Sequence, residues 1–113
     1  MPRNMSFSMT TGPFRARTKT VTRRFGWWFL KPGDVVCGVE KAMGLKKGEK
    51  IKRLGMIRIV SIRTEPLNWI TYAELDLEGL PDTSPREFVA WLCERCRVQP
   101  HKPVNRIEFE YLD

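Results

Sequence analysis

Residues 15–24, "RARTKTVTRR", carry five basic side chains, three threonines and no acid. Two of these residues have chemistry that a solvated charge run does not need. Lys19 sits among Arg17, Arg23 and Arg24. Like charges disfavour a protonated amine, and partial burial adds to the effect. A lysine depressed in this way can act as a general base or hold an anion. Thr22, three residues on, is a weak nucleophile until a base activates it. On chemistry alone three readings of the stretch stay open. It is an exposed basic loop whose threonines serve strand propensity, a set of phosphate contacts, or part of a catalytic site. The phosphate reading would use Arg15, Arg17, Lys19, Arg23 and Arg24. The catalytic reading needs a bend. In an extended chain Lys19 and Thr22 point to opposite faces, so a joint role requires a kink near Thr20 or Val21.

Two further clusters invite chemistry. "FGWWFL" at 25–30 holds four aromatics, and Trp27 or Trp28 could stack a nucleic-acid base. The competing reading is that alternate rings fill a core, which leaves one of the two tryptophans exposed or covered by a loop. Cys93 and Cys96 share a helix face, with His101 nearby and Cys37 distant. A lone pair of this spacing is weak as a zinc signal, so the expectation is ordinary packing, with no metal and no cofactor.

The elements that must position these residues follow from period and punctuation. "SFSMTTG" alternates, with Phe7 and Met9 on one face, and suggests a first strand that Gly12-Pro13 ends. Pro13 can open a short helical turn. "KPGD" is a turn, "VVCGV" a short buried strand and "LKKGEK" a hairpin tip. The run from 51 to 65 is rich in β-branched residues and predicts one long strand, or two broken at Gly55. In it Ile57, Ile59 and Ser61 oppose Arg58, Val60 and Ile62. Thr71 with Glu74 has capping-box spacing and starts a short helix that ends near Gly79. Ser84-Pro85-Arg86-Glu87 is a second capping box, opening a helix over about 85–96 with Phe88, Val89 and Leu92 at helical spacing. "RIEFEYL" alternates as a half-buried closing strand. Strands dominate and the helices come late. The pattern predicts an α+β, mainly β domain, a small β-barrel with two or three short helices rather than a βαβ sheet.

The chain of 113 residues suits one domain, with residues 1–5 as the segment open to disorder. It is 42% hydrophobic and 29% charged, as soluble globular proteins are. Three cysteines are too few for a disulfide framework. No apolar run is long enough for a membrane helix, and the first residues lack the apolar core of a signal peptide. These features predict a reducing, cytoplasmic compartment, with a monomer as the default. The net charge is +7, and it is unevenly spread. Residues 1–30 hold six bases and no acid, whereas residues 70–94 hold six acids and only Arg86. One end attracts anions, and the other can supply carboxylates.

Taken in order, "KTVTRR" followed by "KPGD", then "ITYAELDLEGL", then "RIEFEYL", resemble the ASCH domain of the PUA-like superfamily. The resemblance covers roughly residues 7–112. It implies a small β-barrel with a cleft lined by the basic motif, and RNA or a nucleotide as partner. One branch of the family is similar in size and hydrolyses the acetyl amide of N4-acetylcytidine with a lysine, a threonine three residues on and a glutamate. By position these are Lys19, Thr22 and Glu78. Thr22 would attack the acyl carbon, Lys19 would activate it or hold the oxyanion, and Glu78 would orient Lys19 or shuttle protons. Arg24 matches the motif arginine and would hold a phosphate or a base edge. The family motif usually has glycine two residues before the lysine, where this chain has Arg17. Other members are reported as ribonucleases or have no known activity. The resemblance therefore implies an RNA- or nucleotide-binding module first, a small amidohydrolase or ribonuclease second, and a regulatory protein-interaction factor third. Phages carry many small members, in which case the compartment is the host cytoplasm.

Overall fold

A computed structural model describes residues 2–42 and 44–112. Strand β1 is Asn4–Ser6, helix α1 is Thr11–Arg15, β2 is Val21–Arg24, β3 is Val35–Val39 and β4 is Arg53–Pro66. A 3-10 turn at Leu67–Trp69 leads to α2 (Tyr72–Leu77), α3 (Pro85–Cys96) and the closing strand β5 (Pro103–Tyr111). The five strands form one mixed sheet in the order β1-β3-β4-β5-β2. The class is α+β and mainly β. No helix among the described residues is long and apolar enough to cross a membrane.

Strands β1 and β2 stand at the two ends of this order. A side chain links them: Arg24 Nη2 donates to the Ser6 carbonyl at 2.5 Å. The first strand also lies earlier than its alternation suggests. Asn4 to Ser6 pair in parallel with Cys37 to Val39, and Met5 is fully buried. Asn4 and Met5, counted above with the terminal residues, thus belong to the sheet, while Met1 lies outside the described residues. Phe7 is buried, but Met9 is exposed, because the chain has already turned toward α1.

Strand β4 is continuous and pairs with both β3 and β5. A register shift between Ile59 and Ser61 changes its faces. Ile62 is carried opposite Ile107 and packs on the core with Ile57 and Ile59, while Ser61 faces Glu108. Strict alternation had put Ile62 on the other face, and one extra residue in a strand is enough to reverse it.

Two apolar clusters hold the layers together. The larger joins Phe7, Phe14, Ile57, Ile59, Ile107 and Phe109. Phe14 seats α1 on the sheet directly over Gly38, where any Cβ would overlap its ring. The smaller cluster packs Leu75 of α2 and Phe88 of α3 against Leu67 and Val104. Helix α3 opens with a complete capping box between Ser84 and Glu87 and with Pro85 at its first position. Helix α2 has half a box. Thr71 accepts from the Glu74 amide, but the Glu74 carboxylate turns to arginines instead.

Candidate functional site

Lys19 is delivered by the chain between α1 and β2. The amides of Thr18 and Lys19 both donate to the Pro13 carbonyl, at 3.0 and 3.3 Å. The Thr20 amide donates to Leu77, and the Tyr111 hydroxyl donates to the Lys19 carbonyl. Residues 18–20 are not strand, and β2 begins only at Val21. The odd spacing of Lys19 and Thr22 therefore does not separate them, and both line one cleft.

Glu78 arrives from the end of α2. Gly79 follows it at φ +83, a left-handed conformation that glycine adopts without strain. A Cβ at Gly79 would stand 2.5 Å from Pro13 Cβ and 3.2 Å from Lys19 Cβ. Glycine thus lets α2 close onto the Lys19 segment. Lys19 Nζ donates to Glu78 Oε1 at 2.8 Å and to the Glu78 carbonyl at 3.0 Å. Both side chains are nearly inaccessible, at 2% and 4% exposure. Burial pulls the Lys19 pKa below the usual lysine value, against the opposing pull of the Glu78 carboxylate.

Arg23, counted above among phosphate contacts, has a different place. The residue borders the cleft, but its guanidinium is buried and already paired with three carboxylates. Nη1 donates to Glu78 Oε2 at 3.1 Å, and Nη2 donates to Glu65 at 3.1 Å and to Glu74 at 2.6 Å. Arg106 grips Glu74 with two further bonds, and Arg63 pairs with Glu65. The Arg106 grip, together with Arg23, holds the Glu74 carboxyl down at about 2. A charged network thus stands behind the cleft floor and fixes the far oxygen of Glu78.

Arg24 and Thr22 complete the floor. Arg24 Nε donates to Thr22 Oγ1 at 3.0 Å, leaving the threonine proton to give away. Burial lowers Arg24 to about 10, so it stays charged at neutral pH. Among the described residues no carboxylate lies within ion-pair distance of Arg24. It is a half-buried cation at the cleft, and the nearby Glu78 charge partly offsets its burial.

The cleft has a volume of about 900 Å³. Ser6 to Thr10 form one wall, and Phe88, Trp91, Leu92 and Arg95 of α3 form the other, with Phe25 and Lys102 beside them. Clefts of this size hold one nucleoside-sized ligand, with apolar walls and a few polar groups. The arrangement can supply an amine at reduced basicity, a carboxylate, a hydroxyl and a fixed cation to that ligand.

The other proposed contacts lie elsewhere. Arg15 is exposed and pairs with Glu40 at 3.5 Å. Arg17 sits over the Tyr111 ring at 4.9 Å, with φ at 61. Neither residue lines the cleft. The "FGWWFL" segment is loop rather than strand. Trp27 packs half-buried against the large cluster and Trp28 is 54% exposed, and neither borders the cleft. The cleft tryptophan is Trp91, one turn along α3 from Phe88 at 6.2 Å between ring centres. Its signal is the stripe 87, 88, 91, 95, whose flank the core pattern of α3 passes over. Cys37 is buried in β3 while Cys93 and Cys96 lie on α3, and all three are free thiols. Among the described residues no three metal-ligating side chains cluster.

Fold and site together define a small, mainly β α+β domain with a polar-floored cleft between a helix and an edge strand. No protein-family model matches the chain, and no curated protein matches its sequence. Its fold is similar to the crystal structure of protein EF3133 from Enterococcus faecalis, given as a DUF984 protein. The TM-score is 0.66 at 17% identity, covering 100% of this chain and 77% of that one. The likeness is one of fold.

Proposed function

We propose that this chain is an ASCH-type, PUA-like domain whose cleft binds a nucleoside or nucleotide, free or presented by RNA. The observation that carries this reading is the floor: Arg24, with no carboxylate within ion-pair distance among the described residues, beside a buried Lys19–Glu78 pair and the Thr22 hydroxyl. These groups offer donors and one acceptor to the polar edge of a base, while Phe88 and Trp91 offer apolar wall for its faces. A cytoplasmic setting suits such a ligand. Calorimetric titration with cytidine and N4-acetylcytidine tests the reading. Binding in the wild type that Arg24→Ala weakens by about tenfold or more, the loss of a charge-assisted bond, supports it. Absence of binding by nucleosides, nucleotides and RNA alike overturns it.

The Lys19–Glu78 contact favours a second reading, amide hydrolysis. Burial favours the neutral form of Lys19, which is the form a base needs. In this reading Thr22 Oγ attacks the acyl carbon and Lys19 Nζ takes the threonine proton. The C–N bond then breaks, the amine leaves with that proton, and water hydrolyses the acyl-threonine. Chromatography of N4-acetylcytidine after incubation reads it directly. Deacetylation lost in Thr22→Ala supports this reading, and none in the wild type reduces the site to binding.

A further inference from the structure

The floor of the cleft accounts for one end of a ligand. Its rim carries two cations that the floor does not use. Arg95 lies in the last turn of α3, and Lys102 lies just before β5; both are exposed and both border the cleft. Arg95 follows Trp91 by four residues, so the two share one face of the helix. A ring laid against Trp91 therefore has its substituents within reach of the Arg95 guanidinium. Lys102 Nζ stands 5.7 Å from the Phe25 ring centre, at another wall of the same cleft.

Two exposed arginines, Arg15 and Arg58, pair with Glu40 and Glu110. Among the described residues Arg95 and Lys102 have no carboxylate within 4.0 Å. The one acid on the rim, Glu87, is eight residues before Arg95, about 12 Å along the helix. Its carboxylate also accepts from the Ser84 amide in the capping box. The end of α3 contributes a partial negative charge of about half a unit, which two full positive charges outweigh.

We propose that Arg95 and Lys102 form a phosphate subsite, so that the preferred ligand is a nucleoside bearing a ribose phosphate. The proposal rests on the nucleoside reading of the floor and adds the chemistry of the ligand's outer end. That phosphate belongs either to a free mononucleotide or to a phosphodiester of an RNA strand.

Calorimetry with cytidine, uridine, adenosine and guanosine, each against its 5′-monophosphate, tests it. The expected result is a monophosphate that binds about tenfold tighter than its own nucleoside, or more, as charge-assisted bonds to phosphate give. In the Arg95→Ala/Lys102→Ala double variant the ratio of monophosphate to nucleoside affinity should fall below about threefold. Both positions are exposed, so the variant keeps its fold. Equal binding of nucleoside and monophosphate in the wild type overturns the subsite and leaves the floor intact. So does a phosphate advantage that survives in the double variant. Binding by no ligand of either kind rejects the subsite and, unless RNA binds, the floor reading as well. A trinucleotide arm distinguishes the sources. If it outbinds the monophosphate, and the double variant removes that gain, the phosphate is that of RNA. If the monophosphate binds tighter, the ligand is the free nucleotide.

Discussion

Lys19 Nζ lies 2.8 Å from Glu78 Oε1, across 59 positions of chain, and both side chains are almost wholly buried. The carboxylate is held from two sides, since its other oxygen accepts from Arg23. It therefore cannot swing away from the lysine without breaking a second buried bond. The pair is a fixed feature of the cleft floor rather than a surface ion pair, which would contribute little.

Removing the charge of Glu78 should move Lys19 further from ordinary lysine behaviour. Burial lowers its pKa, and Glu78 opposes the shift. In a side-chain NMR titration Lys19 should lose its proton at lower pH than the other lysines. In Glu78→Gln it should do so at lower pH still. The folded protein then binds fewer protons than the unfolded chain between the lowered value and 10.5. This group's contribution to stability consequently grows as pH rises through that window. A Lys19 that titrates with the bulk lysines would show that the pair is open to water.

Acid should weaken the network behind the floor. Glu74, gripped by Arg106 and Arg23, has a carboxyl lowered from 4.5 to about 2. A depressed carboxyl contributes stability that is fully present above its unfolded value and is lost as pH falls through the folded one. The window is thus between about pH 4.5 and 2. The shift corresponds to up to about 3 kcal/mol. Urea midpoints measured down this range should fall more steeply in the wild type than in Glu74→Gln. Parallel curves would mean that Glu74 titrates normally.

Arg17 occupies a left-handed conformation, φ 61, where the motif it resembles usually has glycine. A non-glycine residue there costs about 1–2 kcal/mol, which Ala retains and Gly relieves. The arginine also sits over Tyr111, so the informative comparison is between two variants that both lose that contact. Arg17→Gly should be more stable than Arg17→Ala by about 1 kcal/mol in denaturant unfolding. The opposite order would place the strain elsewhere.

Much of the scaffold was legible because its signals are local. The capping box at Ser84, the proline at helix position one and the alternation of Ile107 and Phe109 each depend on neighbours in sequence. The Thr71 start and the Gly79 stop of α2 were readable for the same reason. What escaped is non-local. Nothing in "TRR" distinguishes Arg23, which turns inward to three glutamates, from Arg24, which bonds Thr22 and the Ser6 carbonyl. The faces of β2 decide it, and they are set by pairing with β5. The strand order escaped because β1 finds β3 in parallel, a pairing with no sequence signature. Ile62 was misplaced by a single register shift. Trp91 was overlooked because "FGWWFL" has the denser aromatic signal, yet that segment folds as a loop away from the cleft.

The most direct measurement of the central claim is an amide and indole NMR titration with cytidine 5′-monophosphate. If the cleft is the binding site, the signals that move belong to Ser6 through Thr10, Thr22, the Arg24 Nε–H and the Trp91 indole, all lining one cavity. The exposed Trp28, Trp69 and Tyr72 should stay fixed. Shifts confined to those exposed rings, with Thr22, Arg24 and Trp91 unmoved, would contradict the account.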